Sequence, residues 1–257
     1  MEFIRKLAKT KISFYLRNKL NIRPIFINTS KLETNYSISD SFIWRNDNDI
    51  RTIFRYQDLF NYFYKVGNSC VELYFYNSNG DVIKKIKDNK IKLSNEINIS
   101  KILSDYKKDY GSFNIFHIIE KKNIDYFSIR NSCYSGFSIK NNIPSFVHGN
   151  IPVYSKKFNE DDIKNNIVST SILKNQIYRI QDNFRYNKFD KVEIFLTNPT
   201  NNMISIKFEN KNYKIKKNGS LILNATNCND PKLISDCYYL RPIIFKYKKE
   251  FMDVHHG

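Results

Sequence analysis

The chain repeats itself, and this constrains its fold more than any other feature of its 257 residues. Phe54-Arg55-Tyr56-Gln57-Asp58-Leu59-Phe60 returns as Tyr178-Arg179-Ile180-Gln181-Asp182-Asn183-Phe184. Val71-Glu72-Leu73-Tyr74-Phe75-Tyr76-Asn77 returns as Val192-Glu193-Ile194-Phe195-Leu196-Thr197-Asn198. Ser132-Cys133-Tyr134 has a looser echo in Asp236-Cys237-Tyr238. Phe146-Val147-His148-Gly149 comes back as Val254-His255-His256-Gly257. One match could be chance in so biased a composition, but four in the same order at similar spacing are hard to obtain that way.

The period of the apolar residues says what kind of unit is repeated. Ser41 to Arg45, Ile50 to Tyr56, Val71 to Tyr76, Val82 to Ile86 and Ile91 to Leu93 are short, aromatic and β-branched segments, as is Pro24 to Asn28. Ser78-Asn79-Gly80-Asp81 predicts a hairpin through a type I′ turn, because Asn-Gly tolerates positive φ. Asn198-Pro199-Thr200-Asn201 and Lys217-Asn218-Gly219-Ser220 punctuate the second half in the same way. Many short strands at such spacing predict an all-β fold: two tandem homologous β-sandwich domains with a short basic N-terminal helix.

The expected boundaries are a helix over 1–23, a first sandwich over 24–150, a linker over 151–167 and a second sandwich over 168–257. The first copy carries an extra stretch, Asp105 to Asp125, and the chain ends where the second copy ends. Asn159-Glu160-Asp161-Asp162 reads as polar linker that starts a short helix. In the N-terminal segment Ile4, Leu7, Ala8, Ile12, Tyr15, Leu16 and Leu20 fall at helical spacing, with Arg and Lys opposite. Such a helix either packs on its own domain or docks on an anionic membrane surface through residues 1–22.

Charge is informative only in part. The net +17 attracts polyanions, yet 32 of the 42 basic residues are Lys in a chain also rich in Asn and Ile. Codon bias therefore accounts for part of it, and nucleic acid is expected to bind only non-specifically. Residues 1–20 have no continuous apolar core of a signal peptide, and no run of 18 apolar residues occurs. A cytoplasmic location is expected, peripheral to the inner membrane face if the helix docks there. Cys70, Cys133, Cys228 and Cys237 should then be reduced thiols, and no CxxC pair suggests a structural zinc.

No catalytic set, metal set or cofactor motif emerges: there is no Walker loop, no GxGxxG after a strand and no HExxH. Candidate binding residues are Trp44 and Arg45, the repeated Arg55 and Arg179, Tyr134 and Tyr238 beside the repeated cysteines, and His148 and His255 at the His-Gly ends. Aromatic rings interleaved with Arg and Asn suit sugars or bases alike. The competing structural reading puts Trp44 in a core, pairs Arg with Asp in the sheet, leaves Glu72 and Glu193 on the solvent face and uses His-Gly to close turns. His255 and His256, adjacent on a strand, should point to opposite faces.

The segments Ser39-Asp40-Ser41-Phe42-Ile43-Trp44-Arg45, Val71-Glu72-Leu73-Tyr74-Phe75 and Ser145-Phe146-Val147-His148-Gly149 resemble a group of bacterial proteins without assigned activity. Their genes lie among those for surface-polysaccharide or lipopolysaccharide assembly. The resemblance implies a non-catalytic accessory protein that binds carbohydrate or another protein of envelope biosynthesis. Two other classes stay open: a nucleic-acid-associated or capsid-like β-sandwich protein, and a carbohydrate-active enzyme with its site between the two domains.

Overall fold

The computed structural model describes residues 36–67, 69–119, 128–130, 133–140, 142–150, 152–157, 165–166, 175–180, 189–226 and 230–257, with positions 10, 12, 13, 15, 16, 168, 170 and 228. These residues are all-β. Twenty strands form five four-stranded sheets, with two short helices between strands of the first half.

In the first half, β2 (Phe42–Arg45), β4 (Ser69–Asn77), β5 (Val82–Asp88) and β7 (Tyr110–Ile119) make one sheet in the order β2-β7-β4-β5. A second sheet, β10-β9-β3-β6, is built from β3 (Ile50–Gln57), β6 (Ser94–Asn98), β9 (Tyr134–Ile139) and β10 (Ser145–His148). Alternation places Phe42, Trp44, Leu73, Phe75 and Phe113 from the first sheet against Phe54 and Tyr56 from the second, in one apolar cluster. Phe42, Phe54 and Phe113 meet edge-on and stacked at 4.8 to 5.4 Å between centroids. Helix α1 (Leu59–Tyr64) is capped by Asp58, which accepts from the Asn61 amide. Helix α2 (Ile99–Ile102), capped in the same way by Asn98, closes one end of the core with Ile99.

The second half repeats this plan. Strands β13 (Gln176–Arg179), β15 (Ile204–Phe208), β16 (Lys211–Ile215) and β18 (Lys232–Ser235) pair in the order β13-β18-β15-β16. Strands β14 (Lys191–Thr197), β17 (Ser220–Asn224), β19 (Ile243–Lys248) and β20 (Phe251–His256) pair as β17-β14-β19-β20. Val192, Ile194, Leu196, Ile204, Ile206 and Leu233 fill the cluster between these two sheets.

Counted within each half, and setting β1 (Tyr36–Asp40) and β8 (Ser128–Arg130) aside because they belong to another sheet, both halves read 1-6-3-4 and 8-7-2-5, antiparallel throughout. The correspondence differs by one strand from the sequence matches at the front of each unit. Val71–Asn77 lies in the third strand, β4, and Val192–Asn198 begins in the second, β14. Residues 54–99 and 178–223 are therefore not equivalent strand for strand. The two matches at the back do fall in equivalent places: Cys133 and Cys237 between the sixth and seventh strands, and the His-Gly segments on the eighth. The supposed extra stretch 105–125 contains β7, a central strand with its counterpart in β18, so it is not an insertion.

Other expectations also change. The hairpin β4–β5 forms, but of its turn residues only Gly80 has positive φ, at 89°, so the turn is a longer loop and not type I′. Ile91–Leu93 is loop, and the strand begins at Ser94. The linker region holds β11 (Pro152–Lys157) and β12 (Asn165–Asn166), which join β1 (Tyr36–Asp40) and β8 in a fifth sheet, β12-β11-β1-β8. The mixed composition of 151–167 hides these strands because their partners come from far along the chain. Pro24–Asn28 and Asn159–Asp162 lie outside the described residues. In the N-terminal segment Ile12, Ser13, Tyr15 and Leu16 are helical, and the three apolar ones are exposed. No described helix is long and apolar enough to cross a membrane.

Candidate functional site

The seam between the halves comes first, because it decides which faces remain open. On β14, Val192, Ile194 and Leu196 point into the second core, so Glu193, Phe195 and Thr197 point the other way. Phe195 joins Ile243, Phe245, Tyr247 and Val254 in a cluster with Ile43, Ile50, Phe137 and Val147 of the first half. The outer face of this sheet is thus a buried interface.

Arg45 enters the seam and is fully buried. Its guanidinium donates to Asp47, to Glu193 at 2.7 Å and to the Tyr247 hydroxyl at 2.8 Å, and lies 4.7 Å over the Phe245 ring. Burial disfavours its charge, but the Asp47 hydrogen bond and the fields of Tyr247, Asp47 and Glu193 outweigh it, so the pKa is raised. Burial likewise pushes the Glu193 carboxyl up, while Arg45 and Lys191 bring it net below its ordinary value. Glu193 is therefore not on a solvent face: it is 5 % exposed because Arg45 and the first half cover it. Glu72 is also engaged, by Lys156 of β11 and the Tyr74 hydroxyl.

The corresponding sheet of the first half, β10-β9-β3-β6, keeps its outer face open. Phe54 and Tyr56 point inward, so Arg51, Ile53 and Arg55 point outward. Register then sets a row across the strands: His148 opposite Tyr134, Tyr134 opposite Arg55, Arg55 opposite Glu96. Arg55 Nε donates to Glu96 Oε2 at 2.7 Å, and its guanidinium stacks 4.6 Å over the Phe146 ring. Phe146 can lie flat across β9 because the residue opposite it is Gly136. A Cβ there would come 2.6 Å from Phe146 Cε1. Tyr134, 48 % exposed, meets His148 edge-on at 6.5 Å.

The row is continued by the second half. β20 runs beside β10, with the Val254 amide donating to Ser145 Oγ at 3.0 Å. This brings His256 against His148, centroids 4.5 Å apart and Nε2 to Nδ1 3.2 Å. Burial, then the charges of Arg241 and His148, hold His256 down to about 3, so it is neutral. His255 turns to the other face and meets Asp253 at 3.2 Å, as strand alternation requires.

Of the sequence candidates, Arg55, Tyr134 and His148 come together on this face. Trp44 does not: it is 0 % exposed, and its indole N–H donates to the Tyr76 carbonyl at 2.8 Å. Arg45 is sealed in the seam. Arg179 is exposed on β13, an edge of the second half, and Tyr238 follows β18 there. Sequence reasoning missed Glu96, Phe146 and His256. Phe146 and His256 were signalled by their repeated segments, but Glu96 has no local signature and is recruited only by the β3–β6 register. Among the described residues no group of three or more His, Cys, Asp or Glu side chains could hold a metal ion. Buried Cys133 and Cys237 are raised by desolvation, away from nucleophilic thiolates.

The face therefore offers a half-exposed phenol ring, a stacked guanidinium, an imidazole and one carboxylate acceptor. Such a set holds a polar ring by stacking and directional hydrogen bonds.

No protein-family model matches the sequence, and no curated protein is significantly similar to it. Three solved chains match, among them Streptomyces avermitilis alpha-L-rhamnosidase complexed with L-rhamnose, at 8 % identity and a TM-score of 0.23. The match covers 89 % of this chain and 29 % of that one. So low a TM-score bears on neither fold nor function.

Proposed function

We propose that the chain is a non-catalytic, carbohydrate-binding accessory protein of envelope polysaccharide assembly. In this reading it is built from two β-sandwich domains related by duplication, and the outer face carrying Arg55, Tyr134 and His148 is the binding surface. The observation that carries it is the open row His148, Tyr134, Arg55 and Glu96, where the equivalent sheet of the other half is buried in the seam. Duplication would have left one copy of this face for packing and the other for a ligand. Exposed Ile12, Tyr15 and Leu16 beside the basic residues of 1–22 support attachment to an anionic membrane surface on the cytoplasmic side.

The test is titration calorimetry against a panel of bacterial surface oligosaccharides. A neutral glycan should bind with little salt dependence. Tyr134→Ala and Arg55→Ala should each weaken it at least tenfold with unchanged melting temperature. If no glycan binds, or if Tyr134→Ala binds as wild type does, the reading fails.

A further inference from the structure

Lysine is unevenly placed among the sheet edges. The five sheets have ten edge strands, and eight of them, β2, β6, β8, β10, β12, β13, β17 and β20, contain no lysine. The remaining two, β5 and β16, hold Lys84, Lys85 and Lys87, and Lys211 and Lys214. All five are exposed. Codon bias would scatter lysine over every edge, and protection against edge-to-edge pairing would call for it on each open one. Some of the lysine-free edges are covered, β2 being buried throughout and β10 running beside β20, but β6 and β13 carry exposed residues and still hold no lysine. β5 and β16 are also equivalent, each being the fourth strand of its half.

Their turns meet. The Ser220 amide donates to the Ser78 carbonyl at 2.9 Å, and the Ser112 hydroxyl donates to the Asn218 carbonyl at 3.0 Å. A Cβ on Gly80 would come 2.1 Å from the Lys217 carbonyl. Lys216 and Lys217, both exposed, thus sit at the junction from which β5 leaves and at which β16 arrives. Asp81 and Asp88 accept from the neutral Asn77 amide and Tyr56 hydroxyl and keep their charge. Glu72 lies opposite Lys87, Lys84 Nζ donates to the Ile102 carbonyl and Lys85 lies over the Tyr74 ring. Twelve strand residues at about 3.3 Å each give the two edges a summed contour of about 40 Å.

We propose that β5, the junction and β16 form one lysine track that binds the phosphate backbone of duplex nucleic acid without reading sequence. Lysine is a point charge without arginine's fork, so it rewards charge density more than the shape of a particular anion. Duplex DNA presents one charge per about 1.7 Å and releases condensed counterions on neutralisation, whereas a carboxylated polysaccharide carries about one charge per sugar. The proposal is independent of the Tyr134 face and uses no residue of it.

The test compares two quadruple variants of the full chain on a fluorescent 20-base-pair duplex from 50 to 200 mM salt. One removes track charge: Lys87→Gln, Lys211→Gln, Lys214→Gln, Lys217→Gln. The other removes the same charge elsewhere: Lys65→Gln, Lys140→Gln, Lys232→Gln, Lys249→Gln. The track variant should lose about 3 to 4 from the log–log salt slope and at least tenfold in affinity at 100 mM salt. The control should lose less than one from the slope. Lys→Arg at the four track positions should restore binding, which separates lost charge from lost folding, and Tyr134→Ala should bind as wild type. Equal losses in both quadruple variants would mean that net charge alone acts, and would overturn the track. Displacement of the duplex by alginate at equal charge concentration would overturn the nucleic-acid assignment in favour of an acidic glycan.

Discussion

Arg45 and Glu193 meet 2.7 Å apart in the seam although 148 positions separate them in the chain. One comes from the second-half-facing side of β2, the other from the outward face of β14. Arg45 is fully buried and Glu193 nearly so, which makes the pair a sensitive reporter of whether the two halves stay together.

Removing one partner takes away a buried charge-assisted hydrogen bond, although Arg45 keeps Asp47 and Glu193 keeps Lys191 and the Tyr247 hydroxyl. Glu193→Ala and Arg45→Ala should each cost about 1.5 to 3 kcal/mol in chemical denaturation. Because the folded Glu193 carboxyl lies below its ordinary value, its contribution is full above about pH 4.5. It is lost as pH falls through the lower folded value. Glu193→Gln should therefore flatten the acid limb of stability against pH. An unchanged limb would show that the pair is not formed.

Two histidines act with the same sign for a different reason. Desolvation holds His117 down to about 4, opposed by Asp58, and His256 down to about 3. Unfolded, both would take up a proton near pH 6.5. Stability should then fall as pH drops from about 6.5 towards those values, by up to about 1.4 kcal/mol per pH unit for each proton. His256→Gln should reduce that slope by about one proton's worth, read from melts at pH 6.5, 5.5 and 4.5.

Trp44 is the sole tryptophan, fully buried in the first core. Its emission should be blue-shifted and nearly immune to acrylamide, and should not respond to a ligand on the Tyr134 face. Trp44→Ala should cost about 3 to 5 kcal/mol through the cavity it leaves. Red emission in the native protein would contradict the burial.

Gly80 combines a positive φ with a backbone carbonyl where a Cβ would sit. Gly80→Ala should destabilise by about 2 kcal/mol or more, and the shift in melting temperature measures it. A neutral substitution would mean that the 78–80 and 216–219 turns do not touch.

Residues 168–257 expressed alone would bare Phe195, Ile243, Phe245 and Tyr247 on one face of a sheet. The fragment should aggregate or bind a hydrophobic dye. A monodisperse fragment with dispersed amide resonances would show that the seam is dispensable to the second half.

Much of the secondary structure was legible. β3 follows from alternation, because a half-buried strand places apolar residues at every second position, whereas β2 and β4, buried on both faces, follow from their short aromatic and β-branched runs. The candidate site was half legible: Arg55, Tyr134 and His148 lay within repeated segments, but the interleaving of aromatic rings with Arg and Asn put Trp44 and Arg45 beside them. Trp44 points into the core and Arg45 into the seam, and both sit on one four-residue edge strand whose residues are all buried.

What the amino-acid sequence determined by itself is the class of structure, an all-β chain of short strands with two-residue periodicity. Its period says which residues share a face, since that geometry is set within a single strand. Tertiary structure decided the register between the units, one strand away from the best sequence match, because pairing depends on hydrogen bonds between segments that resemble each other in isolation. It also decided which copy of the 8-7-2-5 sheet is buried and which is open. A sheet's outer face acquires its role only from what packs on it, and Glu193 beside Arg45, against Arg55 beside Tyr134, differ for that reason alone.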